Sequence, residues 1–291
     1  MTAPDTMLRV ISNDGRTRAT VITTTALMNE IRRRHGMSMP VGVATGRVAT
    51  AALLLSSTLK DDQVLTAEIH CNGPLGFVRA TVDSHGGVRA YAAVSTVPDG
   101  LTAESAVGTA GHFKVVRDLG FGEPYSGIVP LVKGNIAADL AWYIYSSDQI
   151  KSAVGLDEIV EGRQITAAGA FLVQSMPPDS SDLQDELREL ALSERMAERV
   201  EALPPLPELL RAPDFAAAVL GHLMPEGYKA LETVEIAFRC ACSRDRIEAG
   251  LRMVSSDELE EIIVETAGPL EVRCHFCGDL YTFTPEQIRA L

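Results

Sequence analysis

Four cysteines near the C-terminus have the spacing of a metal site. They form two pairs, Cys240-Ala-Cys242 and Cys274-His-Phe-Cys277, separated by the 31 residues 243–273. Structural zinc sites hold the ion in a tetrahedron of four ligands, with thiolate sulfur at about 2.3 Å. A C-x-x-C turn places two sulfurs on the same side of a loop, and Gly278 directly after it suits a tight turn. The sequence therefore predicts one Zn²⁺ held by four thiolates.

Other interpretations of the cysteines stay open at this point. The pairs could form a permanent structural zinc module, a thioredoxin-type dithiol or two permanent disulfides. A thioredoxin dithiol normally opens a helix in a βαβ unit, which the pattern around Cys274 does not predict. The missing secretory signal disfavours disulfides. His275 could replace one thiolate, but with four cysteines available it is predicted to lie at the surface.

The C-x-C half of the motif favours a site that can switch. Oxidation of a thiolate to sulfenic acid, followed by attack from a neighbouring thiol, gives a disulfide and ends metal binding. Structural zinc contributes roughly 10–16 kcal/mol to the folding of small modules, so its loss should unfold this one. The fifth cysteine, Cys71, lies on the apolar side of a strand pattern and is predicted to be a core thiol.

Composition and charge limit the class of protein. The chain has 291 residues, of which 46% are hydrophobic and 22% charged, as in a globular protein of about two domains. Its net charge is −13, and residues 178–291 carry 23 acidic and 11 basic side chains of the 39 and 26 in the whole chain. The acidic balance excludes a general nucleic-acid binder, and its confinement to the C-terminal part indicates a domain boundary.

The elements that must position the cysteines follow from hydrophobic periodicity. Helices are predicted at 23–34, 43–59 and 135–152, with strands at 65–71, 76–82, 88–94, 113–117, 128–132 and 165–174. The strands follow one another and the helices stand apart from them, which is typical of an α+β fold rather than a βαβ fold.

The acidic part begins after a proline-rich break at residues 176–181. Amphipathic helices are predicted at 182–203 and 215–223, with too few apolar residues for a core of their own. The last segment is predicted as strand 234–240, helix 257–266 with a capping box from Ser255 to Glu258, strand 270–273 and a second capping box from Thr284 to Gln287. We therefore predict an α+β domain at 1–178, a helical linker at 179–230 and a small Cys₄ zinc domain at 231–291.

The order C-x-C, 31 residues, C-x-x-C is similar to that of the redox-regulated heat-shock protein 33 family of chaperones. Other segments also resemble this family: Arg34-His35, Asn72-Gly-Pro-Leu-Gly76, Gly122-Glu-Pro-Tyr-Ser-Gly-Ile-Val-Pro-Leu131, Ser147-Asp-Gln149, Ala168-Gly-Ala-Phe-Leu-Val-Gln174 and Cys242-Ser-Arg-Asp-Arg246. Asp148, where the family usually has Glu, and Ala168-Gly-Ala170, in place of a Gly-rich run, depart from the family pattern.

The resemblance implies a chaperone that is not an enzyme and has no catalytic residues. The reduced, zinc-bound monomer would be inactive. Oxidation would pair Cys240 with Cys242 and Cys274 with Cys277, release zinc and unfold the linker. The resulting homodimer would hold unfolding client proteins without ATP. The resemblance assigns no client-binding residues.

Competing functions receive less support. Ser57-Thr-Leu-Lys60 matches the S-x-x-K of serine hydrolases, but the companion K-T-G is absent and Ser147-Asp-Gln149 is not S-D-N. The basic run from Arg32 to His35 is predicted to end a helix rather than bind phosphate. The apolar run Ala51–Leu55 is too short to span a membrane. We expect a cytoplasmic protein in a reducing compartment, or one in an organelle stroma if a transit peptide was removed.

Overall fold

The computed structural model describes residues 4–176, 183–266 and 268–291. It divides into two compact units, Met1–Phe238 and Arg239–Leu291. The predicted boundary at 178/179 and the predicted helix start at Asp182 lie outside the described residues.

The first unit is built from one large sheet and the helices that cover it. Its strands are β1 Asp5–Ser12, β2 Thr17–Thr23, β3 Val64–Cys71, β4 Phe77–Asp83, β5 Gly87–Ala92, β6 Gly111–Asp118, β7 Tyr125–Pro130, β8 Ser152–Glu161, β9 Gln164–Ser175 and β10 Tyr228–Phe238. Its helices are α1 Thr25–Arg34, α2 Met39–Ser56, α3 Ala103–Val107, α4 Ile136–Tyr143, α5 Leu183–Glu201, α6 Leu206–Leu209 and α7 Phe215–Leu223, with a π-helical turn at Ile144–Asp148. The α+β prediction is confirmed.

Strand β10 joins the two halves of the sheet. Among the described residues the strand order is β7-β6-β3-β4-β5-β10-β1-β2-β9-β8. β10 pairs antiparallel with β1, and at its end Ala237 and Phe238 pair in parallel with Gly87 and Val88. Gly86 has a φ of +76°, and a Cβ there would lie 2.4 Å from the Glu235 carbonyl oxygen, so this junction requires glycine.

Helices α1 and α2 pack on one face of the sheet and form the main core with it. α2 is long and apolar enough to cross a bilayer by length and composition, but 83% of its apolar window is buried inside the fold. We therefore describe it as a core helix. The N-terminus of α1 has no cap from its own Thr24; the buried carboxylate of Asp5 accepts a hydrogen bond from the Leu27 amide at 2.7 Å instead.

The predicted long helix at 135–152 was wrong in its second half. The α-helix ends at Tyr143, the π-helical turn follows, and Gln149 adopts a left-handed conformation with a φ of 55°. A new strand, β8, then begins at Ser152 and pairs with β9 along its whole length. The left-handed residue ends the helix, and pairing with β9 satisfies the backbone of the segment that follows.

The acidic helices α5–α7 cover the other face of β1, β2 and β9. Phe215, Val219 and Leu223 of α7 are buried in a second core, against which Met196 and Val200 of α5 pack. This agrees with the expectation that the region has no core of its own. We predicted the zinc domain to begin at 231, yet the sheet pairing places β10 in the first unit.

The second unit is small. It contains helices α8 Arg244–Leu251, α9 Ser256–Thr266 and α10 Pro285–Arg289, and a hairpin of β11 Leu270–Arg273 and β12 Leu280–Phe283. Both predicted capping boxes are present, since Ser255 and Glu258 exchange hydrogen bonds, as do Thr284 and Gln287. Its buried core consists of Leu259, Ile263, Phe283 and Ile288 among the described residues. So small a core gives a unit of this size little stability of its own.

Candidate metal centre

Two loops of the second unit carry the cysteines. Cys240 and Cys242 lie between β10 and Ser243, the N-cap residue of α8. The Ser243 hydroxyl accepts a hydrogen bond from the Arg246 amide. Cys274 and Cys277 lie in the turn of the β11–β12 hairpin. The Gly278 amide donates to the Cys274 carbonyl at 2.8 Å, and Gly278 has a left-handed φ of 76°. The glycine predicted to tighten this turn therefore has the conformation that requires it.

The structure brings the four predicted ligands together. All four Sγ atoms lie within 4.8 Å of one another, and none of the four cysteines forms a disulfide. The Sγ atoms are 3.8 Å apart for Cys240 and Cys274, and 3.2 Å apart for Cys242 and Cys277. A tetrahedral ion with metal–sulfur distances of about 2.3 Å requires sulfurs about 3.8 Å apart. The cluster therefore fits a four-coordinate, sulfur-binding metal ion with small adjustments.

Burial and one tyrosine set the acidity of these thiols. Burial raises the pKa of Cys277, which is 2% exposed, and also raises the pKa of Cys240. Burial acts to raise the pKa of Cys242 as well, but hydrogen bonds from Tyr281 and the other cysteines lower it overall. The Tyr281 hydroxyl donates to Cys242 Sγ at 3.2 Å, and this bond raises the pKa of the tyrosine. Sequence reasoning missed Tyr281, whose position depends on its pairing with Val272 across the hairpin.

Arginines hold both cysteine loops in shape. Arg246 donates to the Ala241 carbonyl at 2.9 Å, within the C-x-C loop. Arg273 donates to the Gly278 carbonyl at 3.1 Å, at the end of the C-x-x-C turn. Arg244 lies over the Phe283 ring at 4.2 Å and donates to the Thr282 carbonyl. These side-chain hydrogen bonds restrain both loops and help to orient the four sulfur donors.

The other cysteine and the histidine candidate lie outside the sulfur cluster. His275 is exposed, as predicted. Cys71 belongs to β3 of the first unit, where it is half-buried against the main core and burial raises its pKa.

The weaker candidates have structural roles. Ser57 follows the last residue of α2, and its carbonyl accepts from Arg9, while Lys60 is exposed. Arg33 and Arg34 end α1 and pair with Glu30 at 2.8 and 2.6 Å. Neither motif has the surroundings of an active site.

Comparisons with known proteins agree on one family. The family model described as "Hsp33 protein" matches residues 5–284. A 33 kDa chaperonin of Geobacter sulfurreducens is 39% identical, with 99% of this chain and 94% of the relative covered. The 33 kDa chaperonin of Bacillus subtilis is 33% identical over 99% of this chain and 98% of its own. The crystal structure of the 33 kDa chaperonin from Thermotoga maritima superposes with a TM-score of 0.88 at 30% identity, covering 99% and 97% of the two chains.

Proposed function

The chain belongs to the Hsp33 family of chaperones, and from that premise we propose that it is a redox-regulated, ATP-independent holdase for unfolding proteins. The observation that carries this proposal is the cluster of four free cysteine sulfurs within 4.8 Å. The cluster lies in a unit whose buried core has four side chains in the described residues. A unit held mainly by its ligands can be unfolded by changing the chemistry of those ligands.

We infer that the cluster holds one Zn²⁺ through Cys240, Cys242, Cys274 and Cys277. Four thiolates are a donor set that zinc prefers, and their separations suit its tetrahedron. When bound, the ion would cross-link the two cysteine loops and keep the sulfurs as thiolates. This state requires a reducing compartment such as the cytoplasm.

Oxidation would remove the ligands. A thiolate of each pair attacks hydrogen peroxide to give sulfenic acid and hydroxide, which takes up a proton to become water. The second thiol of the pair attacks that sulfur, forming the disulfide and releasing a second water. Two peroxides would thus oxidise Cys240 with Cys242 and Cys274 with Cys277. The family resemblance supports this pairing, although the shortest sulfur contacts in the reduced structure run between the loops.

Loss of the ligands would then change the fold. Without the cross-link, the small core of residues 239–291 would not remain folded. We propose that the linker helix α5 is released as well, because its described side chains are at most half-buried and Leu190 is 50% exposed. Exposed apolar stripes flanked by acidic residues would hold unfolding proteins in solution. The reduced chain would be a monomer and the oxidised chain a homodimer.

Zinc release and chaperone activity test this function together. Peroxide treatment of the zinc-loaded chain should release one zinc ion, detected with a chromogenic chelator, and should begin to suppress aggregation of a heat-unfolded reporter protein. The double variant Cys274→Ser, Cys277→Ser should bind no zinc, whereas Cys71→Ser should behave like the natural chain. Zinc release without any gain in suppression would contradict the proposal.

A permanent structural zinc domain is the second candidate. The hydrogen bonds of Arg246 and Arg273 that fix the cysteine loops favour it, since they stabilise the reduced geometry. In that case zinc would remain bound during peroxide treatment, and the domain would serve as a docking module for a protein partner.

A further inference from the structure

The two edges of the large sheet are protected very differently. Strand β8 carries the acidic residues Asp157, Glu158 and Glu161, and charged side chains on an edge strand disfavour pairing with another strand. The opposite edge strand, β7, has the sequence Tyr-Ser-Gly-Ile-Val-Pro, without a charged residue. Natural proteins usually blunt or cover such an edge, because its unpaired backbone groups can bind another strand. β7 is therefore an open edge that calls for an explanation.

The pairing with β6 shows which backbone groups of β7 are free. The Leu131 amide donates to the Gly111 carbonyl at 3.0 Å, and pairing continues in register to Tyr125 opposite Arg117. Because antiparallel pairs alternate, this register directs the amides of Ser126 and Ile128 away from β6. Within the described ranges, neither outward amide has a hydrogen-bond partner. Pro130 occupies the next outward position, where its missing N–H costs no ladder bond.

Apolar side chains are exposed on β7, in the loop before it and on elements that contact it. Ile128 is 58% exposed and Tyr125 is 54% exposed on the strand, and Phe121 in the hairpin loop is 74% exposed. Trp142 of α4 and Tyr145 of the π-helical turn are also exposed, with ring centroids 5.8 Å apart. A strand added to this edge would therefore meet both backbone groups and apolar side chains.

The buried side of β7 packs closely against the π-helical turn and the end of α4. A Cβ on Gly127 would lie 2.6 Å from Ser147 Oγ and 2.9 Å from the Tyr143 hydroxyl, so glycine permits this close packing. Arg117 of β6 donates to the Tyr143 hydroxyl at 3.1 Å and to Asp148 Oδ2 at 2.8 Å. An edge already ordered in this way loses little conformational entropy when it binds a strand.

We propose that the β7 edge binds an extended apolar segment of an unfolding protein as an added β-strand. The identity of this partner rests on the proposed holdase function. Pairing through main-chain groups does not depend on the partner's sequence, as a holdase requires. A six-residue strand spans about 20 Å and buries less than the roughly 1,200 Å² of a stable dimer, which favours a transient segment over a second copy.

β7 belongs to the first unit, which carries none of the four clustered cysteines. We therefore expect oxidation of those cysteines to leave the binding of a short segment at this edge unchanged. Oxidation adds the released linker as a second binding surface on the same chain. Two linked sites bind one client more tightly than either alone, so weak capture at the edge becomes holdase activity only after oxidation.

Peptide probes of the full chain test this edge directly. The probe is a fluorescent eight-residue peptide of alternating valine and threonine, compared with the same peptide N-methylated at every residue. The methylated peptide keeps the side chains but has no amide donors, and it should bind at least tenfold more weakly. Reduced and oxidised chains should bind the unmodified peptide within twofold of each other.

Variants locate the binding on β7. Ser126→Pro removes one outward amide and leaves the β6 ladder intact, so it should weaken peptide binding at least tenfold, whereas Ser126→Ala should bind like the natural chain. Ile128→Lys keeps the amide and adds a charge, and it provides a second variant if the proline variant does not fold. Thermal unfolding checks each fold.

Three outcomes would overturn the proposal. They are equal binding of both peptides, equal binding by the proline and alanine variants, and loss of the oxidised dimer in Ser126→Pro with peptide binding retained. The last result would make the edge an interface between copies. Failure of the oxidised natural chain to suppress aggregation would instead overturn the holdase function, because the peptide assay does not depend on that activity.

Discussion

Arg47 shows how a buried charge can depend on its partners. Its guanidinium donates to both carboxylate oxygens of Glu158, at 2.9 and 2.8 Å, and also pairs with Glu104. Burial acts to lower the pKa of Arg47, but the hydrogen bonds with the two glutamates raise it overall. The Glu158 side chain is 7% exposed, so it depends on this arginine for its counter-charge.

Replacing Arg47 by Met should therefore be costly. The change leaves Glu158 buried without a partner, and the free energy of unfolding in urea should fall by about 3–5 kcal/mol. The matched control is Arg33→Met, because Arg33 is 68% exposed and pairs with Glu30 at the surface. Because solvent screens such an exposed pair, it should contribute little to the free energy of unfolding. Equal losses in the two variants would show that Arg47 has no special role.

Asp139 should give the first unit a pH dependence of stability. Its Oδ1 accepts from the Val132 and Lys133 amides, and its buried Oδ2 has no partner in the part of the chain that the structure describes. Burial raises the pKa of this carboxyl above its ordinary 3.8. The folded state then binds this proton more tightly than the unfolded state does. The stability that protonated Asp139 gives to the folded state is therefore lost as pH rises through the raised pKa.

Asp139→Asn keeps the Oδ1 acceptor and removes this titration. Urea unfolding of the variant and the natural chain between pH 4 and 7 should show the variant gaining stability relative to the natural chain as pH rises. The comparison cancels the pH dependence of the cysteines, which both proteins share. A difference that is constant over this range would refute the role of Asp139.

Residue spacing was enough to predict that the four cysteines come together, but not which other side chains contact them. Cys274 and Cys277 lie in one turn whose geometry is local, and the structure brings all four sulfurs together. Tyr281 contacts Cys242 only because two strands pair, and Arg47 contacts Glu158 across 111 residues of sequence. Such contacts depend on the tertiary fold, and a single sequence carries no signal for them.

At the scale of elements, periodicity predicted the buried helices and central strands well. The helix at 215–223 and the strand at 270–273 have the predicted bounds. The second half of the predicted helix at 135–152 failed because the change to strand depends on the conformation of Gln149 and on pairing with β9. Local pattern cannot show a strand whose stability comes from a distant partner.

Helix α5 is attached to the rest of the first unit by few contacts, because its described side chains are at most half-buried. Besides the packing of Met196 and Val200, Arg199 donates to the Leu223 carbonyl at 3.1 Å and to Glu226 at 2.5 Å. The Leu223 carbonyl belongs to the last turn of α7, where a cation also interacts favourably with the helix dipole. Arg199 therefore links α5 to α7, whose apolar side chains are buried against the sheet.

Arg199→Met should loosen this link. We expect amide hydrogen exchange in α5 to become about fivefold faster, corresponding to roughly 1 kcal/mol. If linker release limits activation, the variant should also gain chaperone activity sooner after peroxide addition. The control is Glu194→Ala, at an exposed position of the same helix. Unchanged exchange in the arginine variant would remove this contact from the mechanism.

At the scale of the whole molecule, the acidic charge lies where the chain contributes least to the main core. Among the described residues of 178–291, only Ile236 is buried in that core, while residues 178–291 carry 23 of the 39 acidic side chains. Repulsion among these charges lowers the stability of a compact state and keeps an unfolded segment soluble. The part of the chain with the least core is therefore also the part best suited to be unfolded and exposed.

Removal of the metal should consequently unfold one unit and spare the other. Residues 239–291 have a core of four buried side chains in the described residues, whereas the first unit has two much larger buried clusters. Structural zinc contributes roughly 10–16 kcal/mol in small domains, more than such a core provides. Treatment of the reduced chain with a strong chelator should make amides of 239–291 exchange as in an unfolded chain, while β3, β4 and β6 stay protected.

Added zinc should restore protection in the natural chain but not in the double variant Cys274→Ser, Cys277→Ser. If 239–291 stayed protected without zinc, the arginine-fixed loops and the small core would be sufficient for folding, and a switch based on ligand oxidation could not unfold the unit.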